Sequence, residues 1–127
     1  MKFISLQHIS IEDPGTFKDF LIEDGHSITT IQLDEGDSIP NNLDEFDAML
    51  CMGGPMDTFM EDQYPWLVAE KKAIGEYVLN LKKPFLGFCL GCQLLGEVLG
   101  GKVVESKPPE IGVLDINIEE TAKADHI

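Results

Sequence analysis

Cys89 stands between a short apolar run, Pro84–Phe88, and a helix-like run, Leu90–Leu99, with Gly87 two residues before it and Gly91 two residues after. A chain that turns so sharply from strand into helix leaves no room for side chains at the flanking positions, and glycine removes them. The spacing is that of a nucleophile elbow in which a thiol takes the place of a serine hydroxyl. Such a turn lifts the sulfur out at the end of the sheet. It also aims the first amides of the next helix at whatever binds there. The chemistry this arrangement serves is nucleophilic attack with a covalent intermediate.

Attack on an acyl carbon passes through a tetrahedral oxyanion, which needs preorganised N–H donors. The amide of Leu90, directly after the nucleophile, is one candidate. Gly54, in Met52-Gly53-Gly54-Pro55-Met56 at the end of an earlier strand, is the other. Pro55 has no N–H, which narrows the donor in that loop to its glycines. Alone, Gly53-Gly54-Pro55 also reads as a plain turn. Gln93 lies four residues beyond Cys89, one helical turn along and on the nucleophile's side; it reads equally as a capping or solvent-facing amide.

The stretch Gly87-Phe88-Cys89-Leu90-Gly91-Cys92-Gln93 resembles the G-x-C-x-G-x-Q signature of class I, triad-type glutamine amidotransferases. Met52-Gly53-Gly54-Pro55-Met56 is similar to their glycine-rich oxyanion loop, and the order of segments resembles the glutaminase domain of GMP synthase. The resemblance implies that a Cys89 thiolate attacks the side-chain amide of glutamine, expels ammonia and leaves a γ-glutamyl thioester for water to cleave. It implies oxyanion donors at Gly54 and Leu90, and substrate contacts at Gly53 and Gln93. It further implies a synthetase domain or subunit that accepts the ammonia, and no metal or organic cofactor.

The same resemblance calls for a histidine base and an orienting carboxylate from a downstream His-x-Glu stretch. The histidines here are His8, His26 and His126, and none is followed by that pattern. Each is expected to be solvated or locally hydrogen-bonded. The chain is therefore expected to be an incomplete domain over 1–127, inactive or nearly so by itself, with apolar sheet surface left uncovered. A natural short form acting as a non-catalytic binding module is the other reading of the same absence.

Other chemistries compete for the same thiols. Cys89-Leu90-Gly91-Cys92 is a C-x-x-C at a helix start, which permits a thiol–disulfide site. That reading leaves Gly87, Gln93 and the Gly-Gly-Pro loop unexplained. A γ-glutamyl peptidase or hydrolase would use the same thiol on a different substrate. A zinc site has only Cys51 and scattered histidines to complete it, without paired spacing.

Strand-like and helix-like segments alternate, which predicts an α/β fold, flavodoxin-like, with a central, mostly parallel sheet and helices on both faces. Strands are expected at Lys2–His8, Ser27–Leu33, Asp47–Met52 and Pro84–Phe88. A first helix should open at Asp13-Pro14, carry Phe17, Phe20 and Leu21 at helical spacing, and stop at Gly25. A second should open at Pro65, with Leu67, Ile74, Val78 and Leu81 inward and Lys72 and Glu76 outward. Lys102–Glu105 and Gly112–Ile118 read as an edge ribbon around Pro108-Pro109, and Glu119–Ile127 as a polar segment.

With 127 residues the chain is one domain at most, and a 43% hydrophobic content suffices for a core. The net charge of −14, from nine basic and 23 acidic residues, argues against nucleic acid or an anionic membrane as partner. The apolar start, Met1-Lys2-Phe3-Ile4, is too short for a signal peptide, and no stretch approaches the ~20 apolar residues of a membrane span. Three cysteines make no disulfide framework. The expected compartment is the reducing cytoplasm, where a catalytic thiol stays usable.

Overall fold

Strands covered on both sides must be apolar on both faces. In the computed structural model, which describes residues 1–109, 111–120 and 122, β1 (Lys2–Gln7) and β3 (Ala48–Cys51) are buried along nearly their whole length, β3 with apolar residues throughout and β1 with Ser5 and Gln7 among its apolar ones. β2 (Ser27–Gln32) and β4 (Phe85–Gly87) are more exposed and form the edges. The order is β2-β1-β3-β4, parallel throughout. Leu6 pairs with Cys51 and Cys51 with Gly87, so three strands end at one level. The order reverses between β1 and β3, and a parallel sheet opens its binding crevice at the C-terminal ends of such a pair.

The strand alternation feeds two cores. Phe3, Ala48, Leu50 and Met52 pack with Leu21 of α1 (Thr16–Glu23) on one face. Ile4, Leu6, Met49 and Cys51 face the other way. There they meet Leu67 and Ile74 of α2 (Trp66–Gly75), Tyr77 in the single π-helical turn Glu76–Asn80, and Leu90 and Leu94 of α3 (Leu90–Val98). The passage from β2 to β3 contains no helix. Leu43 and Phe46 anchor it in the larger core, and the Phe46 carbonyl accepts from the Tyr77 hydroxyl (3.0 Å) and Lys83 Nζ (2.9 Å).

Several expectations need correction. Asp13-Pro14 does not cap α1 directly: the helix begins at Thr16 behind Gly15 (φ 52°), and Asp13 Oδ1 accepts the Gly15 N–H at 3.0 Å. On α1 only Leu21 is buried, while Phe17 and Phe20 are exposed. The second helix buries Leu67 and Ile74 as expected, half-buries Val78 and Leu81, and also buries Glu70 and Tyr77. Lys72 and Glu76 do face outward. Residues 102–105 and 112–118 form no ribbon. They are irregular and mostly exposed, because none of them pairs with a strand, and apolar alternation alone does not make one. His126 and most of the 119–127 segment lie outside the described residues.

Candidate active site

The elbow forms between β4 and α3, and its backbone is unusual at one residue. Cys89 has φ 49° and ψ −105°; among the described residues only Lys82 is another non-glycine with positive φ. Such a conformation costs on the order of 1–3 kcal/mol and persists only where the surroundings enforce it. They do so through the flanking glycines. A methyl group on Gly87 would lie 2.6 Å from the Cys92 nitrogen, and one on Gly91 would overlap the Cys51 carbonyl. The Gly91 N–H donates to Phe88 (2.9 Å) and Met52 (3.2 Å) carbonyls, while the Cys92 and Gln93 N–H groups both turn back to the Cys89 carbonyl at 3.1 Å. The Leu90 N–H is not among these donors. Cys89 is exposed, Leu90 buries its side chain in the core, and Cys92 and Gln93 are exposed one turn on.

The glycine loop leaves β3 beside the elbow. The Met52 N–H donates to the Leu6 carbonyl at 2.9 Å and ends the ladder. A methyl on Gly54 would sit 3.1 Å from His8 Cβ and 3.3 Å from a Leu90 methyl. A methyl on Gly53 would sit 3.5 Å from Cys89 Cβ and overlap the Glu12 carboxylate. The loop thus threads closely between the end of β1 and the elbow, and a side chain at either glycine would have to displace Glu12, Met56 or their neighbours. Cys89, Leu90, Gly53 and Gly54 come together at the C-terminal edge of the sheet. Gln93 follows on the same helix.

Sequence reasoning did not foresee what lies behind the loop. His8 is neither solvated nor locally bonded. It is fully buried, with Nε2 2.8 Å from Glu70 Oε1, Nδ1 2.8 Å from the Gly53 carbonyl oxygen, and its ring stacked on Trp66 at 5.3 Å. A carbonyl only accepts, so Nδ1 carries a proton. The Cys51 thiol donates to the same Glu70 oxygen at 3.3 Å. Burial pulls the His8 pKa down, but the hydrogen bond and charge of Glu70, the Gly53 carbonyl and the charge of Glu12 outweigh it and leave it raised. Burial first, then the Glu70 charge and hydrogen bond, pushes the Cys51 thiol well above its ordinary value. Cys51 is therefore a neutral donor and no nucleophile. The signal for this cluster was present in the sequence only as a glutamate at the inward spacing of α2, three residues after Leu67 and four before Ile74.

His26 lies elsewhere, stacked on Phe3 at 5.7 Å with Nδ1 3.3 Å from the N-terminal amine. A second polar tie holds the far side of the loop. Thr58, fully buried, donates to Glu97 Oε1 of α3 at 2.6 Å, and Lys71 of α2 bridges Glu97 and Glu61 at 2.9 Å each. Burial raises the Glu97 pKa, but the Thr58 and Lys71 bonds outweigh it and hold the carboxyl below its ordinary value. A cleft of about 590 Å³ lies between the β2–β3 passage and α2, lined by Leu33, Ile39, Leu43, Trp66 and Ala73 among others, and Cys89 is not among its lining residues.

A parallel four-stranded sheet with helices on both faces and an exposed cysteine at a strained strand-to-helix turn is the layout of an α/β fold with an elbow at its C-terminal sheet edge. The class-I glutamine amidotransferase family model matches residues 17–126, and the chain belongs to this family. It is 34% identical over 116 residues to "Putative glutamine amidotransferase-like protein YfeJ" of Salmonella typhimurium, covering 89% of this chain and 48% of that one. It is 38% identical over 81 residues to a glutamine-hydrolysing GMP synthase subunit of Sulfurisphaera tokodaii, covering 61% and 38%. The crystal structure of a glutamine amidotransferase from Thermotoga maritima superposes with a TM-score of 0.74 at 34% identity, over 79% of this chain and 43% of that one. The chain thus spans about half the length of these proteins or less. No helix among the described residues is long and apolar enough to cross a membrane.

Proposed function

We propose that Cys89 is the nucleophile of glutamine hydrolysis. Its thiolate attacks the side-chain amide carbon, the C–N bond breaks, and the nitrogen leaves as ammonia after taking a proton. The γ-glutamyl thioester on Sγ is then cleaved by water to glutamate, which regenerates the thiol. The N–H groups of Leu90 and Gly54 hold the oxyanion, and Gly53 and Gln93 hold the substrate. The observation that carries this reading is the Cys89 backbone, kept at φ 49° by two glycines whose positions admit no side chain.

A base and its carboxylate are still required. Neither described histidine contacts Cys89: both His8 nitrogens are engaged, and His26 bonds the N-terminus. In this reading the His-x-Glu pair comes from chain beyond these 127 residues, consistent with the half-length match to relatives, and the 127 residues alone turn over little or no glutamine. The ammonia passes to an acceptor on a synthetase domain or subunit, a role supported by similarity to the glutamine-hydrolysing GMP synthase subunit. The reaction belongs in a reducing compartment such as the cytoplasm.

The test is ammonia release from glutamine by the intact protein, with and without Cys89→Ala and Cys92→Ala. Cys89→Ala is expected to lower the rate by about 10³-fold or more, while Cys92→Ala stays within a few-fold of wild type. Release that survives Cys89→Ala overturns the reading. Hydrolysis of γ-glutamyl peptides without glutamine turnover would reassign the same thiol to a peptidase, and a reversible Cys89–Cys92 disulfide with neither activity would reassign it to redox chemistry.

A further inference from the structure

The carbonyl that His8 holds and the N–H assigned above to the oxyanion belong to the same peptide unit, Gly53–Gly54. Among the described residues the only cis peptide is Lys107-Pro108, so this unit is trans, and its N–H points away from its C=O. Gripping the carbonyl from the β1 side therefore aims the N–H to the opposite side. Two glycines in succession make such a unit easy to flip, since neither has a Cβ to restrict φ and ψ. Something must fix it, and the Nδ1–H of His8, 2.8 Å from the Gly53 oxygen, does so.

We propose that His8 is a positioning residue for catalysis, which sets the direction of the Gly54 N–H through the Gly53 carbonyl. The inference rests on the reading of Gly54 as an oxyanion donor. Glu70 and Trp66 set His8 in turn. The Glu70 carboxylate takes Nε2 at 2.8 Å, which fixes the ring's rotation, and the Trp66 indole covers its face. The Cys51 thiol bonds the same carboxylate oxygen and keeps Glu70 from turning. The second Glu70 oxygen is buried without a hydrogen bond, so the cluster is not optimised for stability alone. Buried ionisable pairs are commonly outperformed in stability by apolar residues of the same size. A direction imposed on one amide is what this cluster supplies and an apolar one would not. The close spacing of His8, Cys51 and Glu70 also resembles a metal-ligand trio, but their 2.8 and 3.3 Å separations are hydrogen bonds that occupy the donor atoms with one another.

The experiment compares His8→Phe with His8→Asn in the intact protein. Phenylalanine keeps the ring and the stacking on Trp66 but has no donor. The asparagine amide places an N–H near the position of Nδ1. His8→Phe is expected to lower kcat about 10- to 100-fold with KM changed less than about three-fold, and His8→Asn to recover most of the loss. In ¹H–¹⁵N spectra the Gly54 amide signal should move in His8→Phe and return in His8→Asn. Folded His8→Phe with wild-type kcat, or with an unmoved Gly54 signal, overturns the positioning role while Cys89-dependent turnover keeps the nucleophile reading intact. Turnover independent of Cys89 overturns that reading instead, and the Gly54 signal still decides whether His8 orients the peptide. If His8→Phe does not fold, the ¹⁵N spectrum of the wild-type ring decides: Nδ1 must be protonated wherever the protein is folded, and a bare Nδ1 overturns the inference.

Discussion

At the scale of single residues, the chain places its cysteines in opposite environments. Cys89 is exposed at a helix start, whereas Cys51 is fully buried beside a carboxylate. Tyr77 shows the effect of burial on an acid with nothing to gain from charge: burial, then the charges of Asp47 and Asp44, pushes its pKa up to about 12. The unfolded phenol titrates near ~10. Between those values the unfolded chain releases a proton that the folded chain keeps, so stability falls as pH rises through this window and the contribution is flat on either side. The loss amounts to roughly 2–3 kcal/mol. In Tyr77→Phe this part of the decline should vanish, at a cost of about 1 kcal/mol near neutral pH, since Lys83 still bonds the Phe46 carbonyl. Denaturant melts of both proteins from pH 8 to 12 check this; parallel profiles would contradict it. Cys89, with its glycines, was legible in the sequence because steric exclusion at a sharp turn dictates residue type. His8 was not, because its partners Gly53 and Glu70 are 45 and 62 residues away, and no local spacing records such contacts.

At the scale of elements, strand and helix positions were readable to within a residue or two wherever an element packs on a core. The failures have physical causes. The start of α1 is set by Gly15 and an Asp13 turn instead of a cap one residue from Pro14. The apolar residues of 102–105 and 112–118 found no strand to pair with. The elbow elements make two predictions. Gly91→Ala drives a methyl into the Cys51 carbonyl and should unfold the β3–α3 contact, with a Tm loss far larger than that of Gly96→Ala, whose added methyl meets nothing within 4 Å. Equal losses would argue that the elbow is not tightly packed. Lys82, at φ 54°, ends the helical segment in a conformation that suits glycine. Lys82→Gly should therefore raise stability by up to about 1 kcal/mol by thermal melting, and a lowered Tm would contradict that.

At the scale of the whole molecule, a charge of −14 coexists with large apolar side chains in the open. Phe20 on α1 is 59% exposed, and Ile111, Val113 and Ile116 each exceed 80%. Like charge holds such surfaces apart in dilute buffer, and salt screens it within a Debye length of ~10 Å at 0.1 M. The 127-residue chain is expected to be monomeric at low salt and to self-associate as salt rises, by sedimentation velocity at several concentrations. Association that weakens with salt would show that charge attraction, not apolar surface, drives it. The overall α/β architecture was legible from the alternation of segments, and the long connections between strands are those a parallel sheet needs, but the order β2-β1-β3-β4 is supplied by the fold. The placement of the Gly53-Gly54 loop against the elbow required the register of three strands, which only the fold supplies.

The central claim concerns a bond to one sulfur atom, and the most direct measurement looks for it. The intact protein is mixed with glutamine, quenched in acid during turnover, digested and analysed by mass spectrometry. A γ-glutamyl adduct on the peptide carrying Cys89, absent in Cys89→Ala and retained in Cys92→Ala, is the predicted result. Glutamine turnover with the adduct on Cys92, or undiminished turnover in Cys89→Ala, would contradict the account.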